Sequence, residues 1–364
     1  MKMGIKHRAT AALALFSFNS LQVNAWGAGG HEITATIAQI YLHPSVLPQI
    51  CALVYPYTPP KEPCHLAPIA TWADRIRGLA QYRWAAPFHY VGGTSDWPPN
   101  KCVFGEDGWE GKDGVNVLGG IWNTTQWLKD GRPGAAEAVK FLIHFLGDLH
   151  QPLHMTARQR GGNDIKVHFH HRITNLHSVW DSRLLSNSIL DTPHNYTRPL
   201  PSPRVEAALR GAIYDPLIRS IIWEGLLQAW KDDLEEWISC PTLDSRSGPS
   251  IENQQLPLGS SVSIAEHDAR RWDDDFVCPY HWAKPTAALN CEITFPEELD
   301  WAPNSTDPHP AIELDTPRYA GKIRKRRILE KQLAQGGIRT AAVLNGLFAN
   351  EDTKQTGFLY IPEV

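Results

Sequence analysis

The segment His144-Phe-Leu-Gly-Asp148-Leu-His150-Gln-Pro-Leu-His154 decides how this 364-residue chain is read. It ends a longer stretch, Gly134 to Leu149, whose apolar spacing predicts a helix. His144 and Asp148 are four apart, so they project from one helix face and can grip one metal ion. Pro152 cannot continue the helix, which leaves His154 just past its end and free to point elsewhere. His150 falls about 240° around from His144 by the 3.6-residue period, and reads as a supporting or surface residue rather than a ligand.

Outward from this segment, the same spacing recurs in Leu176-His177-Ser-Val-Trp-Asp181. Two isolated candidates lie upstream: Asp74 in Thr71-Trp-Ala-Asp74-Arg-Ile-Arg77, and His89 in Phe88-His89-Tyr90. His31 closes Trp26-Gly-Ala-Gly-Gly-His31. Taken singly, each has an ordinary explanation: a His–Asp pair at this spacing is usually a helix-surface pair. His168, His170 and His171 read as exposed or structural strand residues. Sixteen histidines with two matched spacings suggest metal without establishing it.

Apolar periodicity predicts further helices over Gly30 to Leu42, Ala67 to Ala86, Val115 to Lys129 and His177 to Asn187. Others are expected over Arg204 to Ser239 (broken near Pro216), Val262 to Phe276, and Tyr319 to Phe348 (bent at Gly336-Gly337). Only Ile165 to Arg172 alternates as a strand does. The expected class is mainly α, a single-domain helical bundle with a small β-ribbon. Residues 191–203 and 241–261 read as surface loops inserted into that domain, and 349–364 as a C-terminal tail. The five basic residues between Lys322 and Arg327 read as a solvated helix face.

Residues 1–25 read as a signal peptide. A basic start (Lys2, Lys6, Arg8) precedes the apolar run Ala11 to Phe18, and Val23-Asn24-Ala25 suits the peptidase. Cleavage makes Trp26 the first residue, whose free amine and carbonyl can chelate zinc. No segment has the roughly 18 uninterrupted apolar residues of a membrane span. Removing three basic residues takes the net charge from −4 to −7. An acidic chain is no ordinary phosphate-backbone binder, so any nucleic-acid chemistry needs positive charge from bound ions. Six cysteines, Cys51, Cys64, Cys102, Cys240, Cys278 and Cys291, favour three disulfides among fifteen possible pairings, and no CxxC pair suggests thiolate zinc. Sequons at Asn123, Asn195 and Asn304 fit a secreted glycoprotein.

Six motifs occur in the order of one family: Trp26-Gly-x-x-Gly-His31, Trp72-Ala-Asp74, Phe88-His89-Tyr90, the His144 to His154 segment, Gly161-Gly162-Asn163 and Asn175-Leu-His177-Ser-x-Trp-Asp181. The chain resembles the S-one/P-one nucleases of fungi and plants. The likeness is strongest before Leu184 and returns around Trp272 to Cys278 and Gln332 to Arg339.

The resemblance implies a trinuclear-zinc domain over residues 26–348, of the phospholipase C/P-one nuclease type. Asp74, His89 and His144 would hold one Zn²⁺, with Asp148 bridging to a second held by Trp26 and His31. His154, His177 and Asp181 would hold the third. Asp74, Arg77 and Asp148 are thereby the expected catalytic residues, Arg77 neutralising phosphate charge. Tyr90 would stack on an unpaired base, with Gly161, Gly162 and Asn163 approaching it. Gly92 stands where the family often has an aspartate, which puts base preference in question. The resemblance pairs Cys102 with Cys278; Cys51 and Cys64 would close a local loop, leaving Cys240 with Cys291. The implied activity is secreted, single-strand-preferring hydrolysis of DNA and RNA to 5′-phosphorylated products, with 3′-nucleotides as further substrates, by a monomer without membrane contact. A zinc phospholipase and a non-catalytic zinc scavenger are the rival readings. The first shares the metals but not the base-stacking Tyr90, and the second needs no Arg77.

Overall fold

The computed structural model describes residues 26–57, 63–241, 271–301, 309–349 and 359–362. Helix α1 (Ala28–Ile40) is followed by α2 (Val46–Val54), the short α3 (Ala67–Ala70) and α4 (Trp72–Ile76), and a 3₁₀ helix over Ala80–His89. Then come α5 (Val117–Lys129) and α6 (Ala135–Asp148). A single two-stranded antiparallel ribbon, β1 (Lys166–Phe169) with β2 (Arg172–Asn175), interrupts the helices among the described residues. The fold is mainly α, as expected.

Helix α6 organises the interior. Its first turn carries Glu137 at the positive end of the helix dipole. Every residue from Phe141 to Asp148 is buried. Val139 and Ile143 face one hydrophobic core, shared with α1 and the long C-terminal helix Ile328–Phe348. Phe141, Leu142, Phe145 and Leu146 face a second, shared with α5 and the helix Pro279–Leu289. The chemistry-bearing residues of α6 therefore sit between two dry cores.

Several expected elements are rearranged. The predicted helix Ala67 to Ala86 breaks at Thr71 and after Arg77, beside Gly78, and ends as a 3₁₀ helix that includes Pro87. The predicted strand is a hairpin whose turn residues His170 and His171 have φ of +52° and +58°. Glycine or asparagine is usual in such a turn. Here a tertiary contact from His170 Nδ1 to Asp315 Oδ2, at 2.8 Å, holds it instead. The expected Arg204 to Ser239 helix is several pieces. Pro203–Ala208 ends before a non-helical stretch, and Pro216 begins the next helix, Asp215–Ser220, which continues as a π-helix over Ile221–Ala229. The C-terminal helix breaks at Arg327, not at the glycines. Gly336 and Gly337 are instead the surface on which α1 rests, since a Cβ at Gly337 would lie 2.5 Å from Ile37. Helices Val46–Val54 and Pro279–Leu289 were not legible, each containing an internal proline.

The disulfides correct the expected pairing. Cys51 bonds Cys64, but Cys102 bonds Cys291 and Cys240 bonds Cys278. Trp282 Nε1 donates to Ser239 O at 3.2 Å, docking the start of its helix on the segment that ends at Cys240. Trp97 Nε1 donates to Trp301 O at 3.2 Å, bringing the Cys102 loop to the Cys291 region. Asn123 and Asn195 are exposed. Asn304, residues 1–25 with the expected signal peptide, residues 242–270 and most of the tail lie outside the described residues. So does most of the expected Val262 to Phe276 helix, and residues 271–276 are not helical. No described helix is long and apolar enough to cross a membrane.

Candidate metal centre

Four chain segments converge on the C-terminal half of α6. The i,i+4 spacing places His144 and Asp148 side by side, Nε2 to Oδ2 at 3.2 Å. Helix α1 brings His31, whose ring stacks on that of His144 with centroids 3.8 Å apart. That approach requires Gly147, where a Cβ would lie 2.7 Å from His31 Nδ1. Asp74 comes from α4 and His89 from the end of the 3₁₀ helix. His89 Nδ1 is 3.0 Å from Asp148 Oδ2 and 3.8 Å from Asp74 Oδ1. His31 Nε2 is 3.2 Å and His154 Nδ1 3.6 Å from Asp148 Oδ1. Asp148 is thus the hub.

The remaining group is built outside α6. Pro152 starts a 3₁₀ turn, Pro152–Met155, which carries His154. His177 and Asp181 lie where a helical turn widens into a π-helix, Val179–Arg183, a geometry often found at functional sites. Their Nε2 and Oδ2 atoms are 3.1 Å apart. Three donor groups result: His31, Asp74 and His144; His89, His144 and Asp148; His154, His177 and Asp181. Within each, the donor atoms lie within 4.8 Å of one another. His31 thus shares its donors with Asp74 and His144. Trp26 is fully buried nearby, and Gly27 N donates to Asp181 O at 2.9 Å, which ties this segment to the third group.

Backbone carbonyls orient three imidazoles. Nδ1 of His144 faces Ala70 O at 2.7 Å, that of His154 faces His89 O at 2.6 Å, and that of His177 faces Gly161 O at 2.6 Å. A donating Nδ1–H leaves Nε2 with its lone pair, the arrangement a metal-ligating histidine needs. Gln151 was not foreseen. Its amide donates to Asp181 Oδ1 at 2.6 Å and fixes that carboxylate. Its only sequence signal was its place between His150 and Pro152.

Seven buried donor atoms of this cluster lack a hydrogen bond of acceptable geometry: both His31 nitrogens, Asp74 Oδ1, His89 Nε2, Asp148 Oδ1, His154 Nε2 and Asp181 Oδ2. Leaving so many buried polar atoms unmatched is costly, and divalent cations satisfy such a set. The residues fit metal ions.

In the metal-free protein the buried charges are balanced within the cluster itself. Burial pushes the His154 imidazole down to about 3, only partly offset by the Asp148 charge. Burial also lowers His89. At His144 burial is opposed and outweighed by Asp148 and Asp74, which hold the imidazolium up to about 9. Asp148, despite burial, is held well below the carboxylate range by His144 and its other histidine neighbours. His177 is raised, its burial outweighed by Asp181 and by Gly161 O. The buried carboxylates demand a cationic partner.

His89, His154 and His177 floor a cleft of about 750 Å³. Arg77, Arg83, Tyr90, Gly92, Glu110, Arg160, Gly161 and Asn163 line its walls. Arg77 Nη1 is 3.4 Å from Asp74 Oδ1. Tyr90 is 54 % exposed. Gly161 and Asn163 reach the cleft, but Gly162 is buried and faces Leu176 and Leu153. Gly92 has a steric reason: a Cβ there would lie 2.4 Å from the Ala157 backbone nitrogen. Glu110, whose N–H donates to Gly92 O at 2.9 Å, brings a carboxylate to the same wall. Neither Arg83 nor Glu110 was singled out from sequence, where an isolated exposed charge carries no pattern. His150 is buried, its Nδ1 facing Leu146 O and its Nε2 facing Arg339, so it supports the site from behind.

These features define a class of helical protein with grouped metal-ion donors beneath an arginine-lined cleft. A family model described as S1/P1 Nuclease matches residues 26–349. Endonuclease 4 of Arabidopsis thaliana is 28 % identical over 340 residues, covering 90 % of each chain. Nuclease P1 of Penicillium citrinum is 37 % identical over 160 residues, 43 % of this chain and 57 % of that one. Nuclease S1 of Aspergillus oryzae is 34 % identical over 178 residues, 48 % and 58 %. The chain belongs to the S1/P1 nuclease family, and is a nuclease, a hydrolase of phosphodiester bonds.

Proposed function

We propose that this is a secreted, zinc-dependent endonuclease that hydrolyses single-stranded DNA and RNA to 5′-phosphorylated products and removes the 3′-phosphate of mononucleotides. The observation that carries the reading is the set of orphaned, buried imidazole and carboxylate atoms beneath an arginine-lined cleft. In this reading residues 26–348 are the mature domain, with Trp26 as its first residue.

Asp74, His89, His144 and Asp148, with His31 and the Trp26 terminus, would hold two ions, and His154, His177 and Asp181 the third. When bound, such ions supply Lewis acidity toward phosphate oxygens and activate water as a nucleophile. The nitrogen and carboxylate donors, with no thiolate, suit zinc. The protein's own residues do the rest. Gln151 and the three backbone carbonyls lock the donors before substrate arrives. Arg77, held against Asp74, offers its guanidinium to the phosphate as charge develops. Tyr90, exposed at the cleft wall, stacks on an unpaired base, which excludes a base kept within a duplex.

Metal analysis of the purified protein, with digestion of matched single- and double-stranded substrates before and after chelation, tests this. Zinc near three per chain and single-strand cleavage lost on chelation are expected. Turnover of phosphatidylcholine but not nucleic acid, or activity insensitive to chelation, overturns the reading.

A further inference from the structure

The cleft wall carries more positive charge than one phosphate requires. Arg77, Arg83 and Arg160 all line it. Arg77 is held against Asp74 at 3.4 Å, and Arg160 turns toward Asp164, 3.2 Å away on the surface. Arg83 differs. It is exposed, and among the described residues it makes no hydrogen bond or ion pair. Other exposed arginines are engaged: Arg75 donates to Thr71 and Pro68, and Arg132 pairs with Asp130.

Its direction follows from the helix type. In the 3₁₀ helix Ala80–His89, three residues per turn align positions 83, 86 and 89 on one face. Arg83, Ala86 and His89 all line the cleft accordingly. At roughly 2.0 Å rise per residue, Arg83 starts about 12 Å along the helix axis from His89. Its guanidinium serves the outer cleft, two turns from the metal floor. An unpaired guanidinium in a concave wall of an acidic chain concentrates anions, and its planar fork of donors matches phosphate.

We infer that Arg83 is a specificity-determining contact to a phosphate flanking the one hydrolysed, and so selects strands over substrates with a single phosphate. This rests on the nuclease reading above. A mononucleotide or simple diester has no phosphate to offer at this distance, whereas a strand threads its backbone past it.

Metal-loaded wild-type protein, R83A, R83K and R132A are compared on a single-stranded oligonucleotide and on bis(4-nitrophenyl) phosphate, over a range of salt. One phosphate contact to a single strand scales affinity with salt to the power of about −0.7, a factor of roughly 5 per decade. For R83A the ratio of oligonucleotide to diester kcat/KM falls about fivefold at low salt, through KM, and the salt slope flattens by about 0.7. R83K recovers part of that slope, and R132A, which removes a charge outside the cleft, moves neither quantity. Equal losses on both substrates, or an unmoved ratio and slope, overturn the role of Arg83 alone. Wild-type protein that hydrolyses the diester but not the oligonucleotide overturns the nuclease reading, and this inference with it.

Discussion

On the cleft floor, His31, His89, His144, Asp148 and His154 are each at most 3 % exposed, while on the wall Tyr90 is 54 % exposed and Arg83 and Arg160 face solvent. Floor atoms have no water to fall back on, so their charges and lone pairs must be matched by one another or by cations. Wall atoms are hydrated until substrate displaces that water. On the function proposed above, removing a floor group would upset metal, fold and chemistry together, whereas removing a wall group would change what is bound and how tightly. On that reading burial makes the floor obligatory and exposure makes the wall selective.

The largest effect expected to break this contrast is at Asp148. Asp148→Asn removes the charge that faces four histidines, and should cost metal occupancy and on the order of 10³-fold in phosphodiester hydrolysis. Metal content and kcat/KM measured together read it. Full metal loading with near-normal turnover would show that the floor is not the metal centre.

Acid titration of the metal-free protein comes next. Unfolded His154 protonates near 6.5 and folded His154 only near 3. Between those values the unfolded chain binds the extra proton, so stability is lost as pH falls from about 6.5 toward 3. Asp148, held below its ordinary range, loses its contribution as pH falls through its folded value, in the same direction. His144, raised to about 9, acts oppositely: its contribution is present below 6.5 and lost as pH rises through 9. Urea unfolding of chelator-treated protein between pH 7 and 4 should therefore show a falling midpoint, and His154→Asn should flatten it. A pH-independent wild type sinks the account.

On the wall, Gly92→Asp is expected to destabilise the fold by about 1–3 kcal/mol, because its Cβ meets the Ala157 backbone rather than a movable side chain. A thermal shift reads this, and an unshifted melting temperature would mean the wall can yield. Tyr90→Ala should forfeit about 1–3 kcal/mol of base stacking, seen as a higher KM for single strands with metal content unchanged. If metal is lost as well, wall and floor are not separable in the way described.

Periodicity made two His–Asp pairs of the floor legible, while the joining of His31, Asp74 and His89 to them was implied only by the family resemblance. A 3.6-residue turn obliges His144 and Asp148 to share a face whatever surrounds them, and Pro152 obliges the chain to leave that face before His154. The same local logic marked α1, α5 and α6 and the His177–Asp181 pair. The walls were less legible. Arg83 points into the cleft because residues 80–89 coil as a 3₁₀ helix, a choice between two close geometries that the pattern of apolar residues did not reveal. The hairpin turn at His170-His171 was hidden for a similar reason, since the side-chain contact that holds it reaches to Asp315.

What the chain determined by itself was which side chains lie a turn apart, where helices must stop, and that six cysteines behind a leader-like segment should pair. Tertiary packing alone decided which distant residues meet. It set His31 over His144 through the space left at Gly147, exchanged the partners of Cys102 and Cys240, and turned Gly336-Gly337 from an expected bend into the seat of α1. Covalent geometry acts over a few residues, whereas contacts between segments depend on how whole buried surfaces fit, and that fit is a property of the assembled fold.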